Sequence, residues 1–160
     1  MLILNSGGTF NKIYNKKNGQ LDVAFNNDAI EKILQTCEAE YDLAGVMYKD
    51  SLDMDMNDRK ILANIIMESK DDKFIVVHGT DTMDITAEFL DGVFDDRKIV
   101  LVGAMKPFEI DNVEASFNLG MAMGFLNTQE KNGTYICMNG FCKSWDKIVK
   151  NKNLGKFELV

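Results

Sequence analysis

Two short turns carry the residue types that could do chemistry. Ser6-Gly7-Gly8-Thr9 follows the apolar run Leu2-Ile3-Leu4, and Gly79-Thr80-Asp81-Thr82 follows Phe74-Ile75-Val76-Val77-His78. Each puts a threonine hydroxyl at the exit of an expected buried strand, where open α/β sheets keep their ligands. Gly7 and Gly8 permit a sharp turn and leave no Cβ between the backbone amides and an approaching oxygen, so Thr9 would sit beside a set of N–H donors. A threonine hydroxyl is a weak nucleophile until something removes its proton. A lysine beside an acid can do that, and Asp81 supplies the acid next to Thr80. Taken singly, each turn reads as an ordinary strand-to-helix connection with Thr9 or Thr80 as a hydroxyl cap. Two of them in one chain, the second carrying Asp81, point to a site.

Other chemistries find little support. His78 is the only histidine and no Gly-x-Ser-x-Gly elbow occurs, which argues against a Ser-His-Asp hydrolase. No zinc or phosphate-loop pattern is present, so neither a metal nor a cofactor is expected. The formal net charge of -7 disfavours nucleic acid and anionic membrane as partners and suits a small ligand or a protein. No run approaches the ~20 apolar residues of a membrane span. Met1 leads straight into Leu2-Ile3-Leu4 without a leader pattern, so the expected location is cytoplasmic. Cys37, Cys137 and Cys142 are odd in number and lack metal spacing, which predicts free thiols in a reducing compartment.

The elements that must position the turns follow from periodicity. Strands are expected at 2–4, 44–48, 74–77, 98–102 and 134–138, and helices at 28–37, 57–69, 82–92 and 113–126, with Asn57 as the cap of the second. The alternation predicts a doubly wound, mostly parallel five-stranded sheet with helices on both faces, a three-layer αβα fold in one domain. The lysine-rich stretch 139–160 is harder to place, and Phe157-Glu158-Leu159-Val160 is a candidate extra strand.

His78-Gly79-Thr80-Asp81-Thr82-Met83 and Ser6-Gly7-Gly8-Thr9 resemble the two threonine signatures of the bacterial-type L-asparaginase family. Asp50-Ser51-Leu52-Asp53-Met54, Val100-Leu101-Val102-Gly103-Ala104-Met105-Lys106-Pro107 and Phe117-Asn118-Leu119 are also similar to the family, in the right order along essentially the whole chain. The resemblance implies an amidohydrolase in which Thr9 is the nucleophile, assisted by Tyr14 from a short lid. Thr80, Asp81 and Lys150 would form a triad, with Lys150 placed by counting forward from Met138-Asn139. Read alone, among Lys147 and Lys152, Lys150 is a solvated lysine. The implied substrate-binding residues are Gly8, Ser51, Asp81 and Ala104, with Ser51 on the α-carboxylate and Asp81 on the ammonium.

The implied reaction is a double displacement on the side-chain amide of L-asparagine or a related amino-acid amide, with no cofactor and the Thr80 N–H as an oxyanion donor. Leu52 stands where the family usually has glutamine, which removes a polar contact to the amino acid, and Glu114 stands near a loop aspartate. The chain looks like the family's N-terminal domain alone, over 1–160, without the C-terminal domain that closes the active site in a neighbouring subunit. A homo-oligomer, dimer or larger, is therefore expected. Two alternatives stay open: a non-catalytic amino-acid-binding module, and an ammonia-supplying amidase subunit of a larger complex.

Overall fold

Phe74-Ile75-Val76-Val77 is apolar at every position, the pattern of a strand covered on both faces, and all four side chains are fully buried. The structure, a computed structural model, describes residues 1–160. The chain begins with β1 (Leu2–Gly7), β2 (Lys12–Asn15), β3 (Gln20–Val23), α1 (Asp28–Leu34), β4 (Asp42–Lys49), α2 (Met56–Glu68) and β5 (Lys73–Val77). It continues with α3 (Met83–Val93), β6 (Lys98–Val102), α4 (Asn112–Thr128), β7 (Gly133–Met138), β8 (Phe141–Ser144), β9 (Ile148–Asn151) and β10 (Lys156–Leu159).

The main sheet runs β4-β1-β5-β6-β7-β8. Its first five strands are parallel, and β8 pairs antiparallel on the edge of β7. The expected five-strand sheet is thus present with a sixth strand added. Strand order reverses between β1 and β5, so the connections that leave their carboxyl ends diverge and open a crevice there. Both threonine turns start at that crevice.

Alternate residues of each strand feed two cores. Phe74, Val76, Ile99 and Leu101 meet Leu62 and Ile66 of α2 and Ala87 and Leu90 of α3. Ile75, Val77, Val100 and Val102 meet Ile30 and Leu34 of α1 and Leu119 and Ala122 of α4. The three layers are therefore α2/α3, sheet, and α1/α4. The steps β5 to β6 and β6 to β7 run in the same direction across the sheet, yet α3 and α4 lie on opposite faces. Their crossovers must have opposite hands, and β6-α4-β7 departs from the hand shared by the other three. With α4 on the far face, the α2/α3 face beside β7 is open to Ile148 and Phe157 of the β9–β10 hairpin, which join that core.

Several local features differ from the sequence expectations. The cap of α2 is Asp55, not Asn57. Its carboxylate accepts from the Asn57 and Asp58 N–H groups while the Asp58 carboxylate accepts from the Asp55 N–H, a reciprocal capping box. Cys137 and Cys142, expected as free thiols, are joined by a disulfide, and Cys37 alone is free. The reason is the turn between them: Asn139 and Gly140 both take positive φ, 51° and 90°, and form a two-residue hairpin loop that sets Cys137 opposite Cys142. The stretch after residue 139 resolves into β8, a short turn and the β9–β10 hairpin, with the suggested final strand present as β10. No helix is long and apolar enough to cross a membrane.

The capping box predicts an asymmetric cost. Asp55→Ala should lower unfolding free energy by about 1 kcal/mol in urea titrations, whereas Asn57→Ala should stay within about 0.5 kcal/mol of the parent.

Candidate active site

The ends of β1 and β5 meet backbone to backbone. Gly8 has φ 77°, and a Cβ there would overlap the Cα and N of Gly79. A Cβ on Gly79 would in turn lie 2.6 Å from both Cβ and Oγ of Ser51. Only glycines allow this approach. Ser6 ties the same two strands one step earlier, its hydroxyl donating to the Val77 carbonyl at 2.7 Å. Thr9 and Thr80 each stand one residue beyond the Gly8–Gly79 contact. The Gly79 and Thr80 N–H groups donate to no group of the protein.

The Thr80-Asp81-Thr82 turn is held from below. Asp50 caps a one-turn 3-10 helix, Ser51–Asp53, by accepting from the Leu52 N–H. Ser51 is fully buried; its Oγ accepts from the Asp81 N–H at 3.3 Å and its carbonyl accepts from the Thr82 hydroxyl at 2.8 Å. Asp50 also binds Lys12 Nζ at 2.6 Å, which links the chain just after Thr9 to this bracket. Burial works to raise the Asp50 pKa. The Lys12 and Leu52 hydrogen bonds and the charges of Lys12 and Lys150 outweigh it and hold the carboxyl below the usual range.

Lys150 arrives from β9. Its ammonium donates to Thr80 Oγ1 and to Asp81 Oδ1, both at 2.8 Å, with the lysine side chain 13% exposed and that of Asp81 35%. These three expected site residues are therefore brought together. Four others, Gly8, Thr9, Tyr14 and Ala104, are not joined to them by any hydrogen bond. Tyr14 lies on the β2–β3 hairpin with 53% exposure, its hydroxyl near Gly19 at the hairpin tip and its backbone N–H bonded to the Glu109 carboxylate. Ala104 is fully buried after β6, in a loop that Glu114 fastens by accepting from the Met105 and Lys106 N–H groups at 3.0 and 3.1 Å. Leu52 is exposed.

The largest cavity, about 700 Å³, lies elsewhere, between the β2–β3 hairpin, the start of α1 and Phe108-Glu109. Thr9, Thr80, Asp81 and Lys150 line none of the four cavities. Their crevice is open rather than enclosed.

A buried polar layer under the turn went unnoticed in the sequence. His78 is fully buried, with Nδ1 2.7 Å from the Gly79 carbonyl and Nε2 2.9 Å from Thr86 Oγ1. Arg59, 4% exposed, donates through Nε to Thr86 Oγ1 and through its other nitrogens to the Met54 carbonyl and Thr82 Oγ1. It forms no salt bridge with a carboxylate. The Gly79 carbonyl can only accept, which requires a proton on Nδ1, and burial keeps the ring neutral, so Nε2 accepts from the Thr86 hydroxyl. The imidazole proton then sits on Nδ1 and is given to Gly79, a neutral tautomer. The legible signal was position: Arg59, Leu62, Ala63 and Ile66 form one helical stripe, so an arginine there must be buried.

Residues 1–155 match the family model described as Asparaginase, N-terminal. Among curated proteins, the chain is 28% identical over 149 residues to L-asparaginase 2 of Bacillus subtilis (strain 168), covering 86% of this chain and 40% of that one. It is 25% identical over 142 residues to glutaminase-asparaginase of Acinetobacter glutaminasificans, covering 83% and 43%. The thermostable L-asparaginase from Thermococcus kodakarensis superposes with TM-score 0.85 at 21% identity, over 99% of this chain and 50% of the other. A probable cytoplasmic L-asparaginase from Campylobacter jejuni gives TM-score 0.82 at 27% identity, over 99% and 52%. The chain spans less than half the length of these two curated relatives and about half of each structure.

His78 links this site to acid stability. Burial, the largest cause, and the Arg59 charge lower its pKa from 6.5 to about 4 against the opposing Gly79 hydrogen bond. Between those values the unfolded chain binds a proton that the folded chain does not. Stability from this group is therefore complete above pH 6.5 and is lost as pH falls toward 4, by about 3 kcal/mol. Urea titrations at pH 7 and 4.5 should show a smaller acid loss in His78→Gln than in the parent; equal losses would contradict a neutral buried His78.

Proposed function

Since this chain belongs to the asparaginase family, we propose that it is an asparaginase-like amidohydrolase that converts the side-chain amide of L-asparagine, or of a related amino-acid amide, to the acid and ammonia. The observation that carries this reading is the Lys150 ammonium within 2.8 Å of both Thr80 Oγ1 and Asp81 Oδ1, at the strand crossover that also holds Thr9. Lys150 reaches the adjacent Thr80 and Asp81 from 70 residues away in sequence, where a nucleophile needs a proton relay.

Thr9 Oγ adds to the amide carbon, its proton relayed by way of the Thr80 hydroxyl toward the amide nitrogen, and the carbonyl oxygen takes the negative charge. The Thr80 N–H, which donates to no group of the protein, is the donor for that oxyanion. The C–N bond breaks, the nitrogen takes a proton and leaves as ammonia, and an ester on Thr9 remains. Water, held by the Thr80 hydroxyl that the Lys150 ammonium fixes, attacks the ester; one of its protons passes to Thr9 Oγ, and the acid and free Thr9 are released. Asp81 orients Lys150 and binds the substrate ammonium. Ser51 Oγ already accepts from the Asp81 N–H, so its own proton is left to donate to the α-carboxylate. Gly8 and Ala104 shape the floor of the crevice. Tyr14 assists Thr9 when the β2–β3 hairpin folds over bound substrate. No cofactor or metal takes part. A second copy of the chain closes the open crevice, in a cytoplasmic homo-oligomer.

Ammonia release from L-asparagine tests the reading. Thr9→Ala and Lys150→Met should each lower turnover by about 10³-fold while circular dichroism stays that of the parent. Turnover unaffected by either change contradicts the assignment. Binding of L-asparagine by the parent without turnover would favour the amino-acid-binding module.

A further inference from the structure

The hairpin that carries Lys150 belongs to no larger sheet: β9 pairs only with β10. Three side-chain hydrogen bonds join these two strands to the rest of the molecule. Two are made by Lys150 itself, and the third runs from the Phe157 N–H to Asn139 Oδ1 at 3.0 Å. Phe157 is the residue directly opposite Lys150 in the β9–β10 register, so this bond acts on the backbone beside the lysine. Ile148 and Phe157, buried in the core, set the depth of the hairpin. Apolar contacts are non-directional and do not fix its rotation.

Asn139 is itself held rigidly. It is the only residue other than glycine at positive φ, in the turn between β7 and β8. Its N–H donates to Asn118 Oδ1 at 3.2 Å, and the fully buried Asn118 donates from Nδ2 to the Gly103 carbonyl at 3.0 Å. A continuous path thus runs from the end of β6 through α4 and the β7–β8 turn to the strand opposite Lys150.

We propose that Asn139 is a positioning residue for Lys150: its side-chain carbonyl holds the β9–β10 hairpin at the rotation that delivers the ammonium to Thr80 and Asp81. The proposal rests on the amidohydrolase reading for its effect on turnover, and on hydrogen bonding alone for its effect on the hairpin. It leaves Asn139 out of contact with substrate.

Two substitutions separate the turn from the tether. Asn139→Gly keeps the positive-φ turn and removes the acceptor. Asn139→Asp keeps an acceptor oxygen and still tolerates the left-handed conformation. In Asn139→Gly, kcat for L-asparagine should fall by about 10²-fold, as expected for a catalytic group displaced by roughly 1 Å, with KM and melting temperature close to the parent. Hydrogen exchange at the Phe157 amide and reductive methylation of Lys150 should both accelerate. Asn139→Asp should restore all three readouts. Unchanged Phe157 exchange or unchanged kcat in Asn139→Gly, or an equal loss in Asn139→Asp, overturns the proposal. A parent protein that releases no ammonia would overturn the amidohydrolase reading, and the exchange and methylation rates would then decide the Asn139 tether.

Discussion

The backbone of Gly8 lies against the backbone of Gly79, and the crevice depends on that contact. Neither position has room for a Cβ, so the approach is set by sterics rather than by attraction. It places two threonine-bearing turns, from strands far apart in sequence but adjacent in the sheet, shoulder to shoulder. The layer beneath must then be polar and fully satisfied, because the turns bury backbone carbonyls and hydroxyls that cannot reach water. His78, Thr86, Arg59 and Ser51 do this through side chains that are all buried. A neutral His78 completes the pattern, since an imidazolium beside the buried Arg59 would place two positive charges in one apolar layer.

The second constraint is topological. Lys150 reaches Thr80 from 70 residues away, which requires free space on the α2/α3 face next to β7. The β6-α4-β7 crossover supplies it by carrying α4 to the other side of the sheet. Right-handed crossovers are the general rule because of strand twist, so this departure is tolerated where another element covers the exposed strand. Trp145, Ile148 and Phe157 provide that cover, and the same packing docks the lysine-bearing hairpin. Fold and site are thus coupled through one unusual connection.

Much of this was legible in the residues. The parallel strands announce themselves as continuous apolar runs, and Phe74-Ile75-Val76-Val77 could be little else. Ser6-Gly7-Gly8-Thr9 and Gly79-Thr80-Asp81-Thr82 stood out because glycine at a strand exit has few bland explanations when it recurs beside threonine. Apart from the candidate strand at 157–160, present as β10, the two hairpins were opaque for a physical reason. Strands such as Lys12–Asn15 and Ile148–Asn151 have four residues each and lie outside the main sheet, so they carry no sustained period-2 pattern. The disulfide escaped because an odd cysteine count says nothing about register. The Asn139-Gly140 dipeptide, a strong hairpin signal, would have placed Cys137 opposite Cys142 and revealed β8. The side on which α4 packs is not encoded in periodicity at all, since a helix that is apolar on several faces suits either side.

The most direct test of the account is to look for the ester. Protein mixed with L-asparagine, quenched in acid during turnover and digested for peptide mass spectrometry, should carry an aspartyl adduct on the peptide containing Thr9, absent from Thr9→Ala and accumulating in Lys150→Met if water attack is slowed more than acylation. An adduct on Thr80 instead, or ammonia released by the parent with undiminished rate in Thr9→Ala, would contradict it.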